Sequence, residues 1–160
     1  MDHKPTKPDQ QALATWAADC AEHVLAYFEE PHPHDERPRQ AIEACRAWAR
    51  TGEFRMAAIR GASLAAHAAA RAAEPESAAC FAARAAGQAV ATAHVASHAI
   101  GAAWYGAKAA DAAGAAGERA WQYARLPAHL RPYILQLARA KPALDKVLQY
   151  ASQDSKTVRQ

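Results

Sequence analysis

The chain has 160 residues, 51% of them hydrophobic, and a net charge of +3 from 19 basic and 16 acidic side chains. Alanine occupies 47 positions, and its high helix propensity together with few β-branched residues excludes an all-β fold. The balanced charge is atypical of nucleic-acid-binding proteins, and the three widely spaced cysteines form neither a disulfide framework nor a C-x-x-C metal motif.

The first half of the chain predicts three helices. The first runs from Pro8 to about residue 30 and ends at the Pro-His-Pro-His segment 31–34. The second covers about 35–50 with Asp35 as its cap, and the third covers about 53–73. The third helix carries Phe54, Met56, Ile59 and Leu64, which are surrounded by alanines. The large residues predicted to form the core are Trp16, Tyr27, Phe28, Trp48, Phe54, Phe81, Trp104 and Trp121.

The second half begins with a long helical stretch, 77–113, in which we expect a break between Thr92 and Ser97. Its polar residues favour the interior of a bundle over a membrane span. Helices over about 118–125, 127–140 and 142–150 follow. We therefore predict one all-α domain over 1–160, with frayed tails at 1–8 and 152–160. Its five to seven helices form a compact antiparallel bundle or, given a loose R-A-x-A repeat, a short helical solenoid.

Two histidines define a candidate metal site. His94 and His98 are four residues apart in the long helical stretch, so one helix would direct both rings to the same side. His67 is the preferred third ligand, with His23 or Asp19 as alternatives. Such a divalent-metal site would indicate a hydrolase or thiol transferase. Alternatively, the histidines form hydrogen bonds in a polar seam of the core.

Charged residues form the other candidate sites. A helical wheel places His23 beside the apolar stripe of the first helix and Asp19 further toward solvent. Further along the chain, Arg60, His67 and Arg71 share one stripe of the third helix. This stripe either binds an anion or acidic partner, or pairs with Asp19, Glu22 and Glu43.

Four sequence blocks resemble a known protein family. They are W-A-A-D-C-A-E-H-V-L at 16–25, H-D-E-R-P-R-Q-A-I-E-A-C-R-A-W-A-R at 34–50, A-V-A-T-A-H-V-A-S-H-A-I-G-A-A at 89–103 and R-A-W-Q-Y-A-R-L-P-A-H-L at 119–130. Most of the weight rests on the segments at 35–44 and 91–95. The chain resembles, over about 12–130, small α-helical bacterial proteins described as immunity proteins of polymorphic-toxin systems. Some members have been mislabelled as nuclease subunits.

This resemblance implies a cytoplasmic protein that binds and neutralises a cognate protein toxin without a cofactor. The N-terminus has no apolar run typical of a signal peptide, which agrees with that location. We expect no nucleic-acid or membrane partner. The face bearing Trp104 and Tyr105 could form a homodimer, and the sequence does not decide between monomer and dimer. The candidate toxin-binding residues are Asp19, Glu22, Asp35, Glu36, Arg37 and Arg39; capping and exposed ion pairs are the alternative role for them.

Overall fold

The computed structural model describes residues 4–141 and 144, and within these residues it contains helices and no strand. The helices are α1 (Lys7–Val24), α2 (Ala26–Glu29), α3 (Arg37–Thr51), α4 (Met56–Ala72), α5 (Ala78–Ala91), α6 (His98–Ala112), α7 (Glu118–Arg125), a 3-10 helix (Ala128–Leu130) and α8 (Arg131–Ala140). The all-α class is confirmed. The eight α-helices of this part exceed the predicted five to seven, because Leu25 separates α1 from α2. The predicted helix at 142–150 and the tail at 152–160 lie outside the described residues, apart from Leu144.

A capping box sets the start of α1. The side chain of Thr6 accepts a hydrogen bond from the backbone N–H of Asp9 at 3.2 Å, and the Asp9 carboxylate accepts one from the Thr6 N–H at 3.3 Å. These two bonds satisfy donors that a helix N-terminus otherwise leaves unpaired. The helix therefore begins at Lys7, inside the segment 1–8 that was expected to be a tail.

Helix α5 lies at the centre of the molecule. It packs against α1, α2, α3, α4 and α6. Most of its residues are buried, and most of the buried ones are alanines. Helix α1 contacts α3, α5 and α6, which are distant from it in sequence. A solenoid repeat contacts only its neighbours along the chain, so this contact pattern identifies a bundle. No helix in the described part of the chain is long and apolar enough to cross a membrane.

The break predicted between Thr92 and Ser97 is confirmed. α5 ends at Ala91 and α6 begins at His98. The Gln10 side chain on α1 donates hydrogen bonds to the carbonyls of Thr92 at 2.8 Å and Ala93 at 3.2 Å. These bonds pair two carbonyls of the turn, while backbone N–H groups of the turn pair the last carbonyls of α5.

The predicted core is confirmed in part. Trp16, Phe28 and Trp48 are buried, as are the three free cysteines. Tyr27, Phe81, Trp104 and Trp121 are only partly buried. The prediction for Phe54 was wrong: this side chain is exposed, since residues 52–55 form the connection before α4 instead of its first turn.

Candidate functional site

The acidic pair on α1 is engaged within the chain. Arg46 of α3 reaches Asp19 at 2.9 Å through one guanidinium nitrogen and Glu22 at 2.6 Å through the other. A single arginine therefore neutralises much of this pair and ties α1 to α3. A partner that used either carboxylate would have to compete with Arg46 for it.

The second predicted group, around the start of α3, is also paired internally. Arg37 makes two side-chain hydrogen bonds to Asp35, at 2.9 and 2.7 Å, and Arg39 makes two to Glu29, at 2.7 and 2.6 Å. These arginine hydrogen bonds lower the pKa of both carboxyl groups. Asp35 also accepts the backbone N–H of Arg37 at 3.1 Å. The prediction that Asp35 is the N-cap was wrong, because α3 begins at Arg37 and the N-cap position falls on Glu36. Only Glu36 is exposed and has no side-chain bond at the helix start.

Helix α7 changes the environment of Asp19. Arg125 lies 3.7 Å from the Asp19 carboxylate, and the side chain of Asp19 is only 23% exposed. The ring of His23 stacks on Trp121 with centroids 3.7 Å apart, bonds Glu118 at 2.7 Å and remains 42% exposed. The helical-wheel prediction for Asp19 and His23 was wrong: Asp19 lies between Arg46 and Arg125 and is the less exposed of the two. A shallow pocket of about 320 Å³ lies between Asp19, Glu22, His23, Trp121 and Arg125.

The prediction that His94 and His98 share one helix was wrong. His94 lies in the turn between α5 and α6 and stacks on Phe54, with centroids 6.1 Å apart. His98 is the first residue of α6, and its Nδ1 atom lies 2.8 Å from Oε1 of Gln88. Among residues 4–141 and 144, no group of three or more His, Cys, Asp and Glu side chains is arranged to hold a metal ion. The geometry of His98 instead matches the polar-seam alternative.

His67 lies on α4 against the backbone of α5. Burial lowers its pKa, and the positive charges of Arg84 and Arg71 lower it further. Burial likewise lowers the pKa of His98, with contributions from His94 and Lys141. The ring atom Nδ1 of His67 is buried without a hydrogen-bond partner among the described atoms. Both rings therefore favour their neutral form.

An exposed apolar surface lies on the same side of the molecule as His94. It consists of Phe54, Met56, Leu64 and Val95, which are exposed large hydrophobic side chains; we call it the apolar surface. Leu64 is the most open of them, at 58% exposure. A pocket of about 310 Å³ opens here, lined by Met56, Ile59, Arg60, Ser63, Leu64, Ala91, His94 and His98.

Phe54 is the one residue of this surface that the sequence predicted to lie in the core. Met56, Ile59 and Leu64 were predicted to lie on the third helix, and of these three only Ile59 is buried. A helix turns about 100° per residue, so Leu64 lies about 140° around α4 from Ile59. This angle, which follows from the sequence alone, could have predicted that Ile59 and Leu64 face different surroundings.

The basic stripe of α4 contains Arg60, His67 and Arg71, and its arginines have no acidic partner among the residues that the structure describes. Arg60 and Arg71 form no ion pair with any described residue, whereas Asp19 and Glu22 pair with Arg46. The predicted pairing of this stripe with Asp19, Glu22 or Glu43 was therefore wrong. Arg60 instead lines the pocket of the apolar surface.

The face proposed for a homodimer carries an aromatic cluster. Trp104 and Tyr105 meet edge to face at 4.8 Å, and the ammonium of Lys108 lies 4.3 Å from the Trp104 ring and 4.7 Å from the Phe81 ring. These rings are partly exposed. Dimerisation through this face stays a prediction.

Comparison with known proteins gives a family. The chain matches none of the curated proteins and none of the solved structures with which it was compared. A family model described as "Imm-5 like putative immunity protein" matches residues 3–129, which is most of the chain. The match includes α1 to α7 and every residue of the two pockets described above. The chain belongs to this Imm-5 like family.

Proposed function

We propose that this chain binds a cognate protein toxin in the cytoplasm and neutralises it by covering the toxin surface, without catalysis. The observation that carries the proposal is the apolar surface, whose large hydrophobic side chains are exposed to water. Met56 and Leu64 line its pocket, and Phe54 stacks on His94 of the same lining. Exposed apolar side chains clustered in this way mark sites of protein association. Family membership supports the proposal by making a toxin the expected partner.

The apolar surface is a better candidate for the toxin interface than the charged residues at Asp19 and Asp35. Binding energy usually comes from a few side chains that become fully buried in a well-packed pocket. Leu64 and Met56 have exposed apolar area to bury and carry no charge that would have to leave an internal partner. Asp19 and Asp35 would have to give up existing arginine partners, so their net contribution would be small.

The test is growth rescue in cells that express the toxin domain encoded beside the gene of this chain. Wild-type protein should restore growth and bind the purified toxin domain. Leu64→Asp and Met56→Asp should weaken binding by more than about 2 kcal/mol, because each would bury an unpaired charge at an apolar contact. Ala116→Asp is the matched control, since it adds the same charge at an exposed position between α6 and α7.

A second panel tests the charged residues in the same assay. It contains Glu22→Ala, Glu36→Ala and Arg39→Ala, which remove side chains of the other candidate surface. Loss of rescue in this panel, with full rescue by Leu64→Asp, would move the interface to α1 and α3. Failure of the wild-type chain to bind the toxin domain or to restore growth would refute the proposed function itself.

A further inference from the structure

Three of the four elements that line the pocket of the apolar surface contain no acidic residue. Helix α4, helix α5 and the turn 92–97 carry Arg60, Arg71 and Arg84 and neither aspartate nor glutamate. The fourth element, α6, contributes His98, and its one acidic residue, Asp111, pairs with Arg119. Arg55 adds a positive charge immediately before Met56, and Glu53 a negative charge immediately before Phe54. The chain has 16 acidic residues in total, so their absence from these three elements leaves a local positive field in a molecule of nearly balanced charge.

The arginines of this region are available to a partner. Arg55, Arg60, Arg71 and Arg84 form no ion pair with any residue that the structure describes. By contrast, Arg37 and Arg46 are held by carboxylates. A guanidinium is weakly hydrated and can bind a carboxylate through two parallel hydrogen bonds, so an exposed unpaired arginine suits an acidic partner.

The histidines report the same field. The pKa of His67 is lowered by burial and then by Arg84 and Arg71, and that of His98 by burial, His94 and Lys141. No carboxylate contributes to either shift. Arg84 and Arg71 therefore lie near enough to act on His67, and Lys141 lies near enough to act on His98.

We propose that the toxin segment seated on the apolar surface is acidic. It places an apolar side chain in the pocket between Met56, Leu64 and His98, and it presents carboxylates to Arg60 and the neighbouring arginines. The inference rests on the proposed function, and it adds the chemical character of the partner. Opposite charges around an apolar contact would speed the encounter and fix its orientation.

Other occupants fit this surface less well. In a symmetric dimer the same patch faces itself, which would bring Arg55 and Arg60 of both copies together and make them repel. A nucleic acid would satisfy the arginines but would leave Leu64 and Val95 without an apolar contact. An acidic protein segment satisfies both features at once.

The experiment measures the dissociation constant of the complex with the toxin domain that satisfies the growth test. We expect Arg60→Glu to weaken binding at least about tenfold, Arg60→Lys to retain most of it, and the wild-type affinity to fall between about 50 and 500 mM NaCl. Arg50→Glu, at an exposed arginine on α3, is the charge-matched control. It should weaken binding far less than Arg60→Glu.

A labelling experiment follows the pocket directly in the full chain. The native thiols are buried, and burial raises the pKa of Cys45 to about 12 and that of Cys20 as well. A thiol introduced by Leu64→Cys should therefore react faster than the native thiols. Its rate should be close to that of the thiol in Ala116→Cys. Adding the toxin domain should slow the reaction at position 64 and leave position 116 unchanged.

Several outcomes would overturn the inference. Loss of binding in Leu64→Asp, combined with an affinity that neither salt nor Arg60→Glu changes, would mean an uncharged partner and leave the proposed function intact. Slow labelling at position 64 in the free chain would mean that the chain itself or a second copy covers the pocket, and sedimentation would separate these two cases. Tight binding of a fluorescein-labelled DNA or RNA duplex, lost in Arg60→Glu, would assign the surface to nucleic acid.

Discussion

Two glycines of the α4–α5 pair make a matched test of packing at the residue scale. A Cβ atom at Gly87 would lie 2.7 Å from Nε2 of His67, whereas one at Gly61 would meet nothing within 4 Å. We expect Gly87→Ala to lower the free energy of unfolding by about 1–3 kcal/mol through overpacking. Gly61→Ala should raise it by about 0.5–1 kcal/mol, because alanine favours the helix. Urea unfolding measures both changes.

The ring of His67 provides a control for the Gly87→Ala prediction. Replacing His67 with alanine removes the atoms that the new methyl group would meet. The double variant Gly87→Ala, His67→Ala should therefore be more stable than the sum of the two single changes predicts. Strict additivity would show that the ring moves aside without cost.

His67 and His98 also predict how stability depends on pH. Both have a pKa below that of an unfolded histidine, so the unfolded chain binds more protons just below pH 6.5. Stability is therefore full above the unfolded pKa and falls as the pH drops through it. We expect the free energy of unfolding to decrease from about pH 7.5 to 5, with a smaller slope in His67→Gln. Equal slopes in both proteins over this interval would contradict the prediction.

At the element scale, Gln122 fixes α7 to the bundle. Its backbone carbonyl accepts the indole N–H of Trp16 at 2.8 Å, and its side-chain amide donates to the carbonyl of Ala103 at 2.9 Å. Gly106 permits this approach, since a Cβ there would lie 3.1 Å from the amide nitrogen. Gln122→Ala should cost about 1–3 kcal/mol, because it removes this buried hydrogen bond and leaves space beside Gly106. Chemical unfolding with the exposed Gln40→Ala as control checks this value.

The element boundaries show how far sequence reasoning reached. Proline and glycine signals located the ends of the first three helices, because these residues act locally on the backbone. The break after Ala91 was predicted, but the hydrogen bond from Gln10 to the Thr92 carbonyl in this break was not. The two residues are 82 positions apart in the sequence. Such a bond depends on which helices meet, and no local pattern contains that information. The same break separates His94 from His98 and removed the basis of the metal prediction.

The metal content of the purified protein follows from this geometry. The Nδ1 atom of His98 faces Gln88, and the His94 ring packs on Phe54, so the two rings are not prearranged around one ion. We expect less than one equivalent of zinc or another divalent metal by elemental analysis, with no change in His94→Ala, His98→Ala. One tightly bound equivalent that this double variant loses would restore the metal-enzyme alternative.

The distribution of side chains in the whole molecule separates folding from binding. Close-packed alanines on α5 and a few large side chains, including Trp16, Phe28 and Trp48, form the interior. Sequence periodicity identified these three because a continuous stripe on one helix usually faces the core. It assigned Phe54 wrongly to the core, because an exposed aromatic residue has the same chemistry as a buried one. Only the packed structure distinguishes the two.

This separation predicts that the apolar surface can be removed without unfolding the chain. The quadruple variant is Phe54→Ser, Met56→Ser, Leu64→Ser, Val95→Ser. Each of these side chains is 40–58% exposed in the wild type, so each change loses less buried area than truncation of a fully buried residue. We expect thermal unfolding by circular dichroism to remain cooperative, with a lowered midpoint. Trp48→Ala, at a buried position, should cost about 3–5 kcal/mol. If the quadruple variant loses cooperative unfolding, the four side chains belong to the core and the surface is not reserved for a partner.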